Sequence, residues 1–270
     1  MSAPAPLVRL ERDGDVAEIV FDSPPVNQLS PAFVGELEQA IDGVGDARAV
    51  VIYSAVPRVF MAGGDIAFMA NAPVEEQERY VRWLQVVFHR LEQLQAPVVV
   101  GIDGAALGGG TEITLACDIR IAARGARLGL PEVTLGIFPG AGGTHRLVRS
   151  VGQAVARDLM MTGRRITGEE ACAIGLISRA VADGQATATA RELARELAAG
   201  ATESICTIKR LSMAADDVPP IPAFAAEAAE WGLVRRTANA QEGLTAFLEK
   251  RPPVFTAPRR AGELSSGAAR

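Results

Sequence analysis

The sequence predicts an α/β fold with parallel strands, followed by a mainly helical region. Short apolar runs, rich in β-branched residues and spaced as buried strands, recur in the first half of the chain. Helical patterns lie between these runs, and after about residue 150 such patterns dominate. The resulting order of strand, helix, strand, helix, strand favours a core of parallel strands.

The first elements are a hairpin and a capped helix. Val8–Leu10 and Val16–Phe21 flank a turn at Gly14, an arrangement typical of two antiparallel strands. Ser30 is a suitable N-cap, and Pro31 suits the first helical position because its missing N–H is not needed there. We therefore predict a helix that runs to about residue 41.

The next segments alternate between strand and helix. Ala49–Tyr53 predicts a buried strand, and Arg58–Asp65 predicts a glycine-containing loop. Val74–Gln95 carries apolar residues at spacings of three and four, which indicates an amphipathic helix. Pro97 ends this helix, and Val98–Ile102 predicts the next buried strand.

A glycine-dense segment from Gly101 to Gly110 then leads into a helical segment, Thr111–Ala116, and a strand at Asp118–Ala122. Later helices are interrupted by one short strand, Ile177–Val181, and the tail Ala261–Arg270 is expected to fray. The later helices are predicted at Ala154–Met161, Gly168–Ile174, Thr187–Ala199, Thr202–Ala214, Ala223–Arg236 and Gln241–Glu249, with Pro219, Pro220 and Pro222 as punctuation.

Composition excludes several classes of protein. The 270 residues carry a net charge of −5, whereas nucleic-acid binders usually show a basic stripe. The longest apolar runs are far shorter than the ~20 residues that cross a bilayer, so no membrane span is expected. Two histidines and three cysteines without a CxxC pair argue against a metal site and fit a reducing cytoplasm.

Two glycine segments stand out, each after a predicted strand. The first runs from Phe60 to Asp65, and the second runs from Ala105 to Glu112 and opens a helix. Glycine permits close approach of the backbone to a ligand, and a helix N-terminus presents unpaired N–H groups. Two such loops facing each other could donate two N–H groups to one oxygen, as in an oxyanion hole. The alternative is that these glycines serve only turns and close packing.

Two glutamates lie in apolar surroundings. Glu112 directly precedes the apolar run Ile113–Ala116, and Glu132 lies in the apolar segment Leu130–Gly136. An apolar setting raises the pKa of a carboxyl group, which suits general acid and base chemistry near neutral pH. Alternatively, Glu112 only complements the helix dipole and Glu132 is a solvated loop residue.

Other polar residues are expected to have structural roles. Asp65 and Asp118 are interpreted as loop caps, and His145 as a surface residue in a glycine-rich turn before a helix. A Ser-His-Asp hydrolase is not favoured, because the chain contains no GxSxG nucleophile elbow.

Several long motifs in the same order resemble the crotonase family and, within it, enoyl-CoA hydratase. The resemblance covers nearly the whole chain, and the string PVVVGIDGAALGGGTEITLACD from Pro97 to Asp118 carries it most strongly. The other segments are Val26–Ser30, Phe60–Ile66, Leu130–Glu132, Gly136–Thr144, Leu159–Gly163, Ala171–Leu176 and Glu242–Phe247.

The resemblance implies a crotonase-like spiral of ββα units over residues 1–200 that carries the active site. It also implies a helical region over 201–270 that builds trimers, or hexamers of two trimers. The N–H groups of Gly64 and Gly109 would form the oxyanion hole. Glu112 would act as base on a water molecule, and Glu132 would supply the proton to the α-carbon.

Contacts with coenzyme A are also implied by resemblance. Many family members carry Lys where this chain has Ala67, so one phosphate contact is missing or replaced. No cofactor is implied, since the CoA thioester is the substrate. The expected CoA and substrate contacts are Arg58, Ala62, Asp65, Ile66, Leu107, Gly140, Trp231 and Lys250.

Hydration of a 2-enoyl-CoA is the reaction best matched by the pair Glu112 and Glu132, since the isomerase branch usually lacks the first carboxylate. Two other hypotheses stay open at this point. One is a different crotonase-type enzyme, such as an isomerase, CoA-ester hydrolase or carbon–carbon lyase. The other is a binding or assembly protein of this fold without turnover.

Overall fold

A computed structural model describes residues 5–256 of the chain. The chain divides into two compact units, Met1–Arg195 and Glu196–Arg270. The tail for which fraying is predicted, Ala261–Arg270, lies outside the described residues.

The strands lie in the first unit. They are β1 (Val8–Asp13), β2 (Val16–Phe21), β3 (Gln28–Leu29), β4 (Ala49–Ser54), β5 (Val59–Met61), β6 (Gly63–Gly64), β7 (Val98–Ile102), β8 (Ala105–Leu107), β9 (Ile119–Ala123), β10 (Arg127–Gly129), β11 (Ile166–Thr167) and β12 (Arg179–Val181).

Helices connect these strands and make up most of the described second unit. They are α1 (Pro31–Asp42), α2 (Ile66–Asn71), α3 (Val74–Glu92), α4 (Gly109–Leu115), α5 (Gly143–Thr162), α6 (Gly168–Ala173), α7 (Ala186–Ala199), α8 (Thr202–Met213), α9 (Pro220–Val234) and α10 (Ala238–Glu249), with a 3₁₀ helix at Pro131–Leu135.

The sheets show a repeated winding of the chain. A six-stranded sheet has the order β1-β2-β4-β7-β9-β12, and a four-stranded sheet has the order β11-β10-β8-β5. The pairs β4/β5, β7/β8 and β9/β10 each place one strand in the first sheet and the next strand in the second. Helical segments follow each pair, so the chain forms successive ββα units, and the predicted fold class is confirmed.

Burial explains why the central strands pair in parallel. All six residues of β2 are buried, and β7 is buried along its whole length. A strand covered on both faces is typical of a parallel sheet flanked by other elements. The β2–β4, β4–β7 and β7–β9 pairs are indeed parallel, while β1–β2 forms the antiparallel hairpin predicted from the sequence.

The two helix predictions near the N-terminus are confirmed. Ser30 caps α1 by accepting the N–H of Phe33 at 3.2 Å, and Pro31 occupies the first turn. The apolar stripe of α3, predicted as Val74–Gln95, is buried against the core, with Leu84, Phe88 and Leu91 among its buried residues.

The prediction of a plain loop over Arg58–Asp65 was wrong. That segment contains β5 and β6, and β6 pairs in parallel with β3. Strands of two or three residues are too short to show an alternating pattern. The same reason applies to β3, β8, β10 and β11, which the sequence pattern also did not predict.

Several later boundaries also differ from the predictions. The helix predicted at Ala154–Met161 is the second half of α5, which begins at Gly143 and is broken at Gly152, where φ is +77°. Pro219, Pro220 and Pro222 lie at the start of α9 and do not form a break in the chain before it. Pro219 is its N-cap and Pro220 lies in its first turn, where proline is tolerated because no intrahelical N–H bond is lost.

None of the helices within residues 5–256 is both long and apolar enough to cross a membrane.

Candidate active site

The two glycine segments meet inside the first unit. A Cβ placed on Gly63 would lie 3.6 Å from the backbone nitrogen of Gly109 and 3.7 Å from the Cα of Gly108. A Cβ on Gly110 would overlap the carbonyl oxygen of Met61. At Gly110 the backbones of α4 and β5 therefore approach as closely as glycine alone permits, while β6 lies in ordinary contact with the start of α4.

The backbone N–H groups of Gly64 and Gly109 take no part in the hydrogen bonds of the elements to which they belong. Gly109 is the first residue of α4, so its N–H has no intrahelical acceptor. In the β3–β6 ladder the Leu29 carbonyl accepts the N–H of Asp65 at 3.3 Å. Since alternate residues of a parallel strand bond to one neighbour, the N–H of Gly64 is directed away from β3.

Thr111 fixes the start of α4 against the neighbouring strands. Its hydroxyl oxygen lies 2.6 Å from the carbonyl oxygen of Ala106 and 2.9 Å from that of Gly129, and it accepts the N–H of Gly129 at 3.1 Å. These bonds join α4 to β8 and β10. The orientation of the helix that presents Gly109 and Glu112 is therefore set by buried hydrogen bonds.

Glu112 is a buried carboxylate that lies on two backbone donors. Only 3% of the residue is exposed, and its Oε1 accepts the N–H groups of Ala141 and Gly143, both at 2.8 Å. Burial, followed by the charge of Glu132, raises the pKa of Glu112 to about 7, although the two N–H groups oppose this rise. The carboxyl group can therefore accept or release a proton near neutral pH.

Glu132 lies in the first turn of the 3₁₀ helix, beside Gly108. Its Oε2 is buried and has no hydrogen-bond partner among the described residues. Burial raises the pKa of Glu132, because an unsatisfied carboxylate is poorly solvated. Its Oε1 lies 3.0 Å from where a Cβ on Gly108 would be.

The two carboxyl groups and the two glycine segments thus form one cluster. Glu132 contacts the Cα region of Gly108, and Oε2 of Glu112 lies 4.0 Å from where a Cβ on Gly109 would be. The interpretation of Glu112 as only a helix-dipole residue is insufficient, since a dipole partner does not need burial or two further N–H donors. A buried Glu132 oxygen likewise does not fit a solvated loop residue.

For the other residues expected to contact substrate, the structure gives exposure and backbone contacts. Arg58 is exposed with φ at +63°, and its carbonyl accepts the N–H of Ala105 at 3.1 Å. Ala62 and Ile66 are exposed, and Leu107 and Gly140 are half-buried. Their contacts with CoA or substrate stay predictions.

Trp231 and Lys250 belong to the second unit. Trp231 is exposed on α9, and Lys250 ends α10 in the left-handed conformation, with φ at +57°. Their contacts with CoA also stay predictions.

The structural roles expected of three polar residues are confirmed. Asp65 is the N-cap of α2 and accepts the N–H of Phe68 at 2.9 Å. Asp118 accepts the N–H of Val98 at 2.7 Å. His145 is exposed in the first turn of α5.

Sequence reasoning missed the groups that hold Glu112. Ala141 and Gly143 act through backbone N–H groups, which any residue type except proline carries, so side-chain identity gives no direct signal. The glycine-rich turn before α5 was the only available clue.

Within residues 5–256, no group of three or more His, Cys, Asp or Glu residues could hold a metal ion.

A spiral of ββα units that places a buried and a half-buried carboxyl group beside two glycine loops defines a protein of the crotonase fold. Residues 11–258 match the family described as enoyl-CoA hydratase/isomerase, and the chain belongs to that family.

Known proteins support this assignment. The chain is 36% identical to the short-chain-enoyl-CoA hydratase of Clostridium acetobutylicum, over 90% of this chain and 95% of that protein. It is 37% identical to the mitochondrial methylglutaconyl-CoA hydratase of Homo sapiens, over 85% of this chain and 70% of that protein. A crystal structure of enoyl-CoA hydratase from Bacillus anthracis superposes with a TM-score of 0.88 and 34% identity, covering 93% of this chain and all of that chain.

Proposed function

We propose that the chain is an enoyl-CoA hydratase that adds water across the 2,3 double bond of a 2-enoyl-CoA to give a 3-hydroxyacyl-CoA. The observation that carries this proposal is the pair Glu112 and Glu132, both with raised pKa values, which lie beside Gly109 and Gly108 respectively. Relatives named as hydratases at about 36% identity support it.

The proposed reaction uses four groups. The thioester oxygen accepts the N–H groups of Gly64 and Gly109, which draw electron density from the double bond. Glu112 takes a proton from water as the water oxygen bonds to C3. The electron pair of the double bond moves toward C2 and the thioester oxygen, and C2 then takes a proton from Glu132. The two carboxyl groups end with their protonation states exchanged and are reset through solvent.

The raised pKa values bring both carboxyl groups closer to proton exchange near neutral pH. A base must be ionised and an acid protonated at the working pH, and two neighbouring carboxyl groups in a buried site favour carrying one proton between them. The charge of Glu132 contributes to the raised pKa of Glu112. One proton shared by the pair therefore leaves one carboxyl group as an acid and the other as a base, and the proposed reaction requires that proton on Glu132.

Direct assay tests the proposal. Purified protein is expected to remove the absorbance of the conjugated double bond of crotonyl-CoA and to give 3-hydroxybutyryl-CoA by mass spectrometry. A panel containing a 3-enoyl-CoA and saturated acyl-CoA esters separates isomerase and hydrolase activity from hydration. Binding of crotonyl-CoA with no loss of absorbance would contradict the hydratase proposal and favour another enzyme of the fold or a binding protein.

We also propose that the chain self-associates through its helical region as a trimer or hexamer and works in the cytoplasm. Exposed apolar side chains on α9 and α10, among them Phe224, Trp231 and Phe247, support burial of this region in an assembly. Sedimentation velocity is expected to give a mass of three or six chains, and a monomer at micromolar concentration would contradict the proposal.

CoA binding in this proposal uses the exposed Arg58 and residues near the glycine loops. No further cofactor is proposed, since the thioester itself supplies the electron-withdrawing group. Trp231 and Lys250 are proposed to reach the CoA of a neighbouring subunit, as the resemblance implies.

A further inference from the structure

The loop that holds Glu112 is enclosed between two charged side chains. Gly143 faces Glu112, because a Cβ placed on Gly143 would lie 2.9 Å from Oε1 of that residue. Gly142 faces Arg146, because a Cβ on Gly142 would overlap Nη1 of the guanidinium group. Gly142 also has φ at +106°, a conformation that side chains rarely adopt. The loop is therefore shaped to fit a carboxylate on one side and a guanidinium group on the other.

Arg146 is itself held in place. Its Nε and Nη2 donate to the two carboxylate oxygens of Glu92, at 3.2 and 3.0 Å, in a bidentate pair. Its Nη1 donates to the carbonyl oxygen of Ala141 at 3.2 Å. The Arg146 side chain is only 11% exposed, so this pair is partly shielded from water.

The hydrogen bond from Arg146 to the carbonyl oxygen of Ala141 holds one particular peptide of the loop. The carbonyl of Ala141 belongs to the peptide that lies between the two peptides whose N–H groups donate to Glu112. Fixing this middle peptide limits rotation of both donors at once. The Glu92–Arg146 pair thus joins the end of α3 to the loop that orients the carboxylate of Glu112.

We propose that Arg146, anchored by Glu92, is a positioning residue for Glu112 in the hydration reaction. It holds the Ala141–Gly143 loop so that both N–H groups meet Oε1, and its positive charge favours the ionised form of the base. This inference rests on the proposed hydratase function for its kinetic part, although the positioning itself can be measured in the free protein.

Charged and titratable groups from three elements surround Glu112 and its Arg146–Glu92 support. Glu132 faces it from the 3₁₀ helix and favours the protonated form, while Arg146 on α5 favours the ionised form. Tyr80 on α3 feels the charge of Glu112, and Asp65 lies near Tyr80. His89 on α3 contacts Glu92 at 3.3 Å and so acts on the far side of the pair.

The first test uses Arg146→Gln and Arg146→Lys. Arg146→Gln removes the positive charge, so the acid limb of the kcat/KM–pH profile is expected to move up by about 0.5–1 pH unit. Loss of loop geometry is expected to lower kcat about 10–100-fold with KM nearly unchanged. Arg146→Lys keeps the charge and is expected to restore the acid limb, with partial recovery of kcat.

Two further variants serve as controls. One tests the direction in which the acid limb moves, and the other tests whether the position of the arginine on α5 matters. Glu92→Gln leaves the guanidinium charge without its counter-ion, so the acid limb is expected to move down rather than up. Arg157→Gln removes an exposed arginine from the same helix beyond the kink and is expected to change neither limb nor rate. An unchanged acid limb in Arg146→Gln, or the same shift in the Lys and Gln variants, would overturn the charge role.

Amide exchange in the ligand-free protein separates this inference from the hydratase proposal. Hydrogen–deuterium exchange of the segment 139–147 is expected to be at least several-fold faster in Arg146→Gln than in the wild type or Arg157→Gln. Faster exchange without any hydration by the wild type would support the positioning role and contradict the proposed function. Unchanged exchange in a folded Arg146→Gln protein would overturn the positioning role, whatever the activity.

Discussion

Replacing Glu132 with glutamine is expected to lower kcat for hydration of crotonyl-CoA by about 10²–10⁴-fold, with KM changed only a few-fold. Glutamine has nearly the same shape but cannot release a proton to C2. The N–H groups of Gly64 and Gly109 remain in place, so the thioester should still bind. Stopped-flow and steady-state measurement of absorbance loss gives kcat and KM separately.

Solvent deuterium provides a second measurement on the same variant. Wild-type enzyme working in D₂O is expected to place deuterium on C2 of the product, and Glu132→Gln is expected to form this deuterated product more slowly, in proportion to its lower kcat. Glu169→Gln, which alters an exposed glutamate at the start of α6, is the matched control and is expected to behave as wild type. A Glu132→Gln enzyme that keeps more than a tenth of the wild-type kcat would contradict the acid role.

The sequence predicted the architecture well wherever an element was long. The β4 and β7 strands carry recognisable apolar runs, β2 belongs to a recognisable hairpin, and the α3 helix carries an apolar stripe; each of these elements is present. The predictions failed where pairing depends on distant residues. The two residues of β6 form a strand only because β3 lies beside them.

The candidate site was predictable for side chains and unpredictable for the backbone. Glu112 and Glu132 stood out because a carboxylate in an apolar segment is costly unless it is used. Residues alone left their structural alternatives open, and burial of Glu112 and of Oε2 of Glu132 in the folded chain is what weakens those alternatives. No residue type marks a backbone donor, so the N–H groups of Ala141 and Gly143 could be found only from the fold.

The buried carboxyl group of Glu112 is expected to serve the reaction near neutral pH but to lower the stability of the fold there. Its raised pKa of about 7 means that the folded protein holds a proton on this group at pH values where the unfolded chain, near 4.5, has released it. This group therefore stabilises the fold less as pH rises from 4.5 through 7. The accumulated loss above pH 7 is roughly 3 kcal/mol.

Replacing Glu112 with glutamine is accordingly expected to lower kcat/KM by about 10²–10⁴-fold and to raise stability at alkaline pH. The amide oxygen can still accept the N–H groups of Ala141 and Gly143, but it cannot take a proton from water. Activity of the wild type is expected to fall as pH drops through about 7, whereas the residual activity of the variant should lack this limb.

Urea unfolding at pH 5 and pH 8, at one protein concentration, measures the stability part. Relative to the wild type, Glu112→Gln is expected to gain about 2–3 kcal/mol in its free energy of unfolding between these two pH values. The gain must appear at pH 8, where the wild-type carboxylate is ionised and buried. If the two proteins keep a constant difference in stability across this range, Glu112 does not titrate near neutral pH, and its assignment as the base loses its physical support.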